Sequence, residues 1–265
     1  MLRISKLIAL LTDFGTRDHY VGSFKGILLS NDPHVNIIDI THSLDPFNIQ
    51  EASYTLWASF RSFPRGTLFC CVVDPGVGSD RDIVLLSTKH YRFIAPANGL
   101  LDIVAADIDI EECVIVNVKR CQSLGIIPRT ISATFHGRDI IAPLAASIAK
   151  GIQPALCGRQ SFYPVRPIFF KKHEAPARVL SIDRFGNIIT NIESESQEKL
   201  RRWMKGLKVK NHSVTSWITH YHEAVSNRPY LITGSSGLVE IVVNKESAAK
   251  TLGVTLETRI RVLKS

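Results

Sequence analysis

Much is missing from this sequence, and each absence removes a class of protein. No apolar run approaches the roughly 20 residues that a bilayer-crossing helix needs, so no membrane partner is expected. There is no CxxC pair and no Cys/His spacing of the zinc type. Cysteine is scarce and odd in number, five in 265 residues, and Cys70 and Cys71 sit side by side in an apolar run. Small buried thiols in a reducing compartment fit that usage better than a disulfide frame. No GxGxxG follows the first strand-like segment, and Gly76-Val77-Gly78 runs into Ser79-Asp80 without the lysine of a P-loop. Gly234-Ser235-Ser236-Gly237 lies between two strand-like runs rather than at a strand-to-helix turn, which excludes a nucleophile elbow. Neither HExxH nor a paired-carboxylate spacing supports a metal bound by Asp13, Asp74 and His136, so no metal and no cofactor are expected.

Charge is present in excess, with 32 Lys and Arg against 24 Asp and Glu and a net charge of +8. The basic residues are scattered. The densest groups (Lys171, Lys172 and His173; Lys205, Lys208, Lys210 and His212) lack the interleaved aromatics of a base-stacking surface. A solvated basic face is therefore expected rather than a nucleic-acid partner. The first residues lead into a strand-like segment with no separate apolar leader or small-residue cleavage site, and the expected location is the cytoplasm.

Up to about residue 155, strand-like runs alternate with helical periods. Strands are predicted at 7–11, 35–40, 67–73, 83–87, 92–95 and 114–118. Helices are predicted at 20–30, 49–63, 100–106 and 139–150, the last opened by Asp139. This alternation implies an α/β domain over residues 1–155, a mainly parallel sheet sandwiched by helices. Residues 156–176, with Pro164, Pro167 and Pro176 and no clear period, read as a linker. Short β-type runs at 179–182, 188–192, 213–219, 230–233, 238–243 and 259–263 then predict a smaller antiparallel, barrel-like β domain over 177–265.

Ligands of open α/β sheets bind beyond the carboxyl ends of the strands. Three polar clusters fall there: Asp13 with Asp18, Asp74 with Arg81 across the turn Pro75-Gly76-Val77-Gly78, and Phe135-His136-Gly137-Arg138-Asp139. Taken singly, Asp13 reads equally as a cap, Asp74 as a turn former, His136 as a core histidine and Arg81 as a surface charge. Their coincidence at strand exits is the signal.

The sequence resembles the S-adenosyl-L-methionine (SAM) hydroxide adenosyltransferases, the adenosine-forming SAM hydrolases, which share a fold with the SAM-dependent fluorinase and chlorinase. The matches run in order through nearly the whole chain: Leu11-Thr12-Asp13-Phe14-Gly15 with Lys25-Gly26; Asp39-Ile40-Thr41-His42; Val73-Asp74-Pro75-Gly76-Val77-Gly78 with Arg81; Ala95-Pro96 with Asn98-Gly99; Phe135-His136-Gly137-Arg138-Asp139; Ile182-Asp183-Arg184-Phe185-Gly186-Asn187 with Thr190-Asn191; and Ser235-Ser236-Gly237 through Asn244. The resemblance implies an Asp/Arg/His set acting on water, here Asp74, Arg81 and His136. It implies that Asp13 holds the ribose diol and Asp183 the methionine amino group. Asn98, Phe185, Asn187 and Ser235 are the further substrate-binding candidates, and Phe47 and Phe185 are aromatics suited to packing on adenine or the sugar. It also implies a homotrimer with active sites between subunits and SAM as substrate rather than cofactor.

The chemistry suits these residue types. Attack of water at C5′ expels a neutral thioether from a sulfonium, so no general acid is needed and only the nucleophile must be strengthened. Three features depart from the relatives. Pro96-Ala97-Asn98-Gly99 stands where the family usually reads Pro-Asp-Asn-Gly, Ser236 and Val243 stand where halide-using members carry arginines, and those members lack the Asp74/Arg81 pair. Water is therefore the expected nucleophile. A halide-transferring SAM enzyme and a SAM-binding regulator without turnover are the alternatives.

Overall fold

The apolar runs around residues 7–12 and 68–73 carry no charge, and strands of that composition are stable only when both faces are covered. A computed structural model of the chain describes residues 6–166, 168–170, 176–225 and 227–265. The chain divides into two compact units, Met1–Arg166 and Pro167–Ser265.

The first unit contains β1 (Leu7–Thr12), α1 (Tyr20–Asn31), β2 (Asn36–Thr41), α2 (Ile49–Ser59), β3 (Leu68–Val72), β4 (Ile83–Ser87), β5 (Arg92–Pro96), α3 (Asp102–Asp107), β6 (Glu112–Val116), α4 (Val118–Ser123), α5 (Ala142–Ala149) and β7 (Gly158–Ser161). Its strands form one seven-stranded sheet in the order β2-β1-β3-β5-β4-β6-β7. Strands β2, β1, β3 and β5 pair in parallel, β4 runs against them and β6 runs with them again. The sheet is thus mainly parallel, as the βα alternation predicts. One face packs Ile8, Leu10, Cys70, Val72, Leu85 and Ile94 against Phe24 and Leu28 of α1 and Leu144 and Ile148 of α5. The other face carries an aromatic cluster, with the Phe69 and Phe93 rings stacked at 5.1 Å and Phe60 edge-on to both. Cys70 and Cys71 point to opposite faces, as the period of two requires. Both are fully buried and unbonded, and burial pushes both thiols up.

Three boundaries differ from expectation. The strand predicted to end at Val118 stops at Val116, because the Asn117 side chain accepts the Arg120 N–H and caps α4. The helix predicted from Asp139 opens earlier, as a π-helical turn at Gly137–Ile141 that continues into α5. The stretch expected to be a linker from 156 first supplies edge strand β7, which pairs antiparallel with β6. Gly158 permits this, since a Cβ there would lie 1.9 Å from the Ile115 carbonyl oxygen. Residues 167 and 171–175 of that stretch, including Lys171, Lys172 and His173, lie outside the described residues.

The second unit contains β8 (Val179–Ile182), β9 (Ile188–Glu193), α6 (Gln197–Arg201), β10 (Met204–Val209), β11 (His212–Val214), β12 (Pro229–Thr233), β13 (Leu238–Val243), α7 (Ala248–Leu252) and β14 (Ile260–Lys264). Two antiparallel sheets form, β11-β10-β14 and β12-β13-β9-β8. Single bridges join them at both edges, Trp217 to Leu231 and Arg178 to Arg259. The result is barrel-like without a continuous closing ladder. Strand β10 was not predicted, because Lys205, Gly206 and Lys208 interrupt its apolar positions. The strand predicted over 213–219 ends at Val214.

Gly158→Ala should force β7 from the sheet edge. Overpacking of this kind costs about 1–3 kcal/mol, and the midpoint of urea unfolding should fall accordingly. An unchanged midpoint would show that β7 does not depend on that close approach.

Candidate active site

Strand order places the first site. The chain adds β2 on one side of β1 and then crosses to add β3 on the other, so the loops leaving β1 and β3 diverge at a topological switch point. The first loop presents Asp13 and the second Asp74, both at the carboxyl edge of the sheet. The loop entering α5 presents His136. Asp13, Phe47, Asp74 and His136 line one cavity of about 320 Å³, together with Phe14, Tyr20, Pro46, Val77, Thr134 and Phe135.

Arg81 returns from the 74–81 turn to bond the Asp74 Oδ2 through Nη2, and the Gly76 N–H donates to Oδ1 at 3.2 Å. The pair is buried, with side chains 7% (Asp74) and 11% (Arg81) exposed. Burial pushes the Asp74 carboxyl up, opposed by the Arg81 guanidinium, the Gly76 N–H and His136. Burial and then the Arg81 charge push the His136 imidazole down from its ordinary value, so it is neutral at pH 7. Gly78 brings the two loops together: it sits at φ +84°, and a Cβ there would lie 2.5 Å from the Ala133 carbonyl oxygen. The loop reaching His136 is fixed by Asp139. Its carboxylate accepts the Ser132 N–H at 2.8 Å and binds the Arg138 guanidinium at 2.6 and 2.9 Å. A π-helical turn immediately after His136 is the kind of local irregularity that recurs at functional sites.

Asp13 accepts the Phe47 N–H at 2.8 Å. Phe47 adopts φ +66°, which is rare for a bulky residue, and its ring is 68% exposed at the rim. Asn48 behind it caps α2 by accepting the Glu51 N–H, while Glu51 accepts the Asp45 N–H at 3.0 Å. Phe14, Tyr20 and Phe135 form an aromatic wall with ring centroids 5.1–6.0 Å apart. Carboxylates beside aromatic faces favour a cationic ligand, although the chain as a whole is basic.

The motifs at Lys25 and 39–42 support the β1 exit. The Thr12 hydroxyl accepts the Phe14 N–H at 3.2 Å and lies 2.7 Å from the Nδ1 of buried His42. His42 turns its other ring nitrogen, Nε2, toward Asp39. That atom lies 3.0 Å from Asp39 Oδ1, close enough for electrostatic contact but without a well-aimed hydrogen bond. Burial alone would push the Asp39 carboxyl up, but Lys25 and His42 outweigh it and hold it below its usual range.

Asn98 does not line this cavity. Its amide donates to the Val73 carbonyl at 2.8 Å and accepts from the Leu100 N–H, tying the β5 exit to the residue before Asp74. It borders a different cavity, with Asp82, Ala97 and Asp102.

In the second unit, Asp183, Phe185 and Asn187 line a cavity of about 500 Å³ with Tyr221 and residues 243–247. Asp183 accepts the N–H groups of Phe185 and Asn187 on Oδ1 and the Asn187 amide on Oδ2, all at 2.8–2.9 Å. The turn closes on Gly186, φ +85°, where a Cβ would lie 2.0 Å from Ser247 Oγ. The Phe185 ring is thereby held 77% exposed. Ser235 is exposed in the β12–β13 turn and does not line this cavity. Tyr20, Phe135 and Tyr221 also line these cavities; Phe135 falls within a family motif, whereas nothing local in the sequence marks Tyr221.

This architecture, an α/β unit with an acidic and aromatic cleft at a switch point followed by a β unit with its own acidic cavity, is that of a SAM-utilising family. The SAM hydroxide adenosyltransferase N-terminal domain matches residues 8–158 and the corresponding C-terminal domain residues 177–261. The chain belongs to the SAM hydroxide adenosyltransferase family. It is similar to a Methanocaldococcus jannaschii protein named (R)-S-adenosyl-L-methionine hydrolase, 33% identical over 98% of this chain and 97% of the relative. A Thermus thermophilus protein of the same name is 32% identical over 96% of this chain and 98% of the relative. A Nocardia brasiliensis fluorinase is 30% identical over 73% of each chain. The crystal structure of a conserved Thermotoga maritima protein superposes with a TM-score of 0.85 at 31% identity, covering 97% of this chain and all of that one.

Thr12→Val keeps the side-chain volume but leaves the Phe14 N–H and His42 without their partner. Unsatisfied buried groups cost about 1–3 kcal/mol. The amide of Phe14 should exchange with solvent markedly faster, and exchange at the wild-type rate would show that the Thr12 hydroxyl does not hold the Asp13 loop.

Proposed function

We propose that this protein hydrolyses S-adenosyl-L-methionine to adenosine and L-methionine. The observation that carries the reading is that Asp74, paired with the buried Arg81, shares one cavity with neutral His136 and with Asp13, in a chain whose full-length relatives are named SAM hydrolases. In this reaction the water oxygen bonds C5′, the C5′–S bond breaks, and its electron pair neutralises the sulfonium. The leaving group needs no acid, so the protein's task is confined to the nucleophile. Arg81, whose Nε is buried without a partner, polarises a water, and Asp74 or His136 accepts its proton. In-line placement is worth several kcal/mol, on the order of the gain from a near-attack geometry.

Asp13 receives the ribose diol, with its carboxylate already oriented by the Phe47 N–H, and Phe47 and the aromatic wall pack on the nucleoside. Asn98 acts on the site through the Val73 carbonyl. Asp183 takes the methionine amino group, with Asn187 and Phe185 beside it in the same cavity, while Ser235 lies outside that cavity. Following the family resemblance, the functional form is a homotrimer in which neighbouring subunits complete each site. No described helix is long and apolar enough to cross a membrane, and the five buried, unbonded cysteines support a cytoplasmic location.

Purified protein incubated with SAM should release adenosine and methionine in equal amounts, without 5′-halo-adenosine when chloride or fluoride is added. Asp74→Ala and His136→Ala should each lower kcat by roughly 10²-fold or more, within the range for loss of a general base. Absence of adenosine from wild type would defeat the hydrolase reading, and wild-type rates in both variants would defeat the site assignment.

The pH profile should carry the imprint of the same pair. A base must be unprotonated, so kcat/KM should be flat through neutrality and fall on the acid side. If Asp74 is the base, the limb lies above the ordinary aspartate value of 3.8. If His136 is the base, it lies below the ordinary histidine value of 6.5. A profile that instead falls as pH rises through 7 would exclude both as bases.

A further inference from the structure

One buried side chain braces the Asp13 loop from outside the cavity. His42 is 5% exposed and does not line the cavity that holds Asp13. In the β1–β2 ladder Leu10 pairs with Asp39 and Leu11 with Thr41, so Ile40 is skipped, and an irregularity of this kind re-aims the residues beside it. Just beyond it, His42 grips the β1 exit twice. Its Nδ1 lies 2.7 Å from the Thr12 hydroxyl, which accepts the Phe14 N–H at 3.2 Å. Its carbonyl accepts the Gly15 N–H at 2.7 Å. The far side of the ring faces Asp39, whose Oδ1 lies 3.0 Å from Nε2 and whose Oδ2 accepts from Lys25 Nζ at 2.6 Å. The same segment then reaches back to the site, where the Phe47 N–H donates to Asp13 Oδ2 at 2.8 Å. Leu44, 6% exposed, anchors the span between. Residues 42–47 thus hold Asp13 from two sides, by the loop backbone at one end and by the carboxylate at the other.

We propose that His42 is a positioning residue that sets the preference of this cavity for a vicinal diol, by holding Asp13 in the orientation that accepts two hydroxyls at once. The proposal rests on the reading of Asp13 as the site of the ribose diol. A carboxylate that accepts both hydroxyls has to be held to within about 0.5 Å and 10–20° of the productive geometry. Asp13 stands just past the end of β1 rather than within it. Rigidity reaches it through the N–H groups of Phe14 and Gly15, its next neighbours in the chain, and both lead to His42. Removing the imidazole frees the Thr12 hydroxyl and loosens Phe14, and Asp13 then meets one hydroxyl at the expense of the other. Asp74 and His136 stand on other loops. The loss therefore falls on binding that the ground state and the transition state share, which raises KM and leaves kcat. A substrate without the diol gains nothing from Asp13, so it should not respond to His42.

The test compares SAM with its 2′,3′-dideoxy analogue as substrates of the full chain, read by release of the nucleoside. Wild type should prefer SAM in kcat/KM by roughly 10²-fold, the range for hydroxyls that bond a charged acceptor. His42→Leu should reduce that preference to about tenfold or less, through a higher KM for SAM at a nearly unchanged kcat, while the dideoxy analogue turns over as in wild type. Thr12→Val should do the same. Adding it to His42→Leu should bring no further loss, because the two changes break one contact. His42→Asn should restore the preference, since its amide can meet the Thr12 hydroxyl as either donor or acceptor.

A merely structural role has a different signature. It would lower Tm and the active fraction, changing both substrates' rates alike and leaving their ratio and KM at wild-type values. That result for His42→Leu or Thr12→Val would overturn the proposal, as would a His42→Asn as poor as His42→Leu. Should His42→Leu fail to fold, Thr12→Val and His42→Asn read the same contact. Asp13→Ala separates the proposal from the reading beneath it, and the preference for SAM should collapse in that variant. Collapse there with survival in Thr12→Val would remove His42 from diol recognition and leave the Asp13 assignment in place. Survival in Asp13→Ala would overturn that assignment and the proposal together, while adenosine formation by wild type left the hydrolase reading standing. Absence of adenosine from wild type would overturn all three.

Discussion

The parallel ladder between β1 and β3 is the constraint on which the first unit depends. Those two strands pair in register from Ile8 with Leu68 to Thr12 with Val72, and because the chain builds outward from them in opposite directions, their exits must part. A crevice at that point is a consequence of strand order, not of any side chain. Asp13 and Asp74 lie in it because each follows its strand directly. The antiparallel return of β4 brings Arg81 back to the same edge, and α5 packing on α1 brings His136 over the top.

Local and global electrostatics point in different directions. The chain carries a net charge of +8, yet both cavities with proposed roles are lined by carboxylates, and the first also has an aromatic wall. Arg81 is held against Asp74 rather than facing outward as a free cation. A ligand responds to the field inside a cleft with low-dielectric walls more than to the sum of distant, screened surface charges. That is why total charge is uninformative about a cationic substrate. Glycines do much of the positioning. Gly78 lets the Asp74 loop touch the His136 loop, Gly186 lets the Asp183 turn sit on Ser247, and Gly234 leaves space for Glu240. In each case the neighbour occupies the volume that a Cβ would need.

Strands β1, β3, β4, β5, β8 and β13 were legible because each apolar run contains at most one polar or charged residue. Asp13 and Asp74 were legible as polar residues at strand exits, and His136 as one just before the last helix of the first unit. Elements that depend on side chains contributed from far away in sequence were not legible. Strand β7 reads as a proline-flanked linker and exists because Gly158 fits under Ile115. Strand β10 has Lys205, Gly206 and Lys208 among its six residues and is ordered by pairing with β11 and β14. Asn98 reads as a polar residue near the site, but its amide is spent on the Val73 carbonyl, a partner 25 positions away.

By itself the sequence determined the α/β-then-β division, the family, and the three polar clusters, two at strand exits and one before the last helix of the first unit. These follow from hydrophobic period and from motif order, both of which are local. Only the tertiary structure decided which residues share a cavity, that Arg81 pairs with Asp74, and that Thr12 and His42 brace the Asp13 loop. Those relations depend on burial and on distances between residues tens of positions apart. Burial shifts a carboxyl or an imidazole by amounts that no residue type carries on its own.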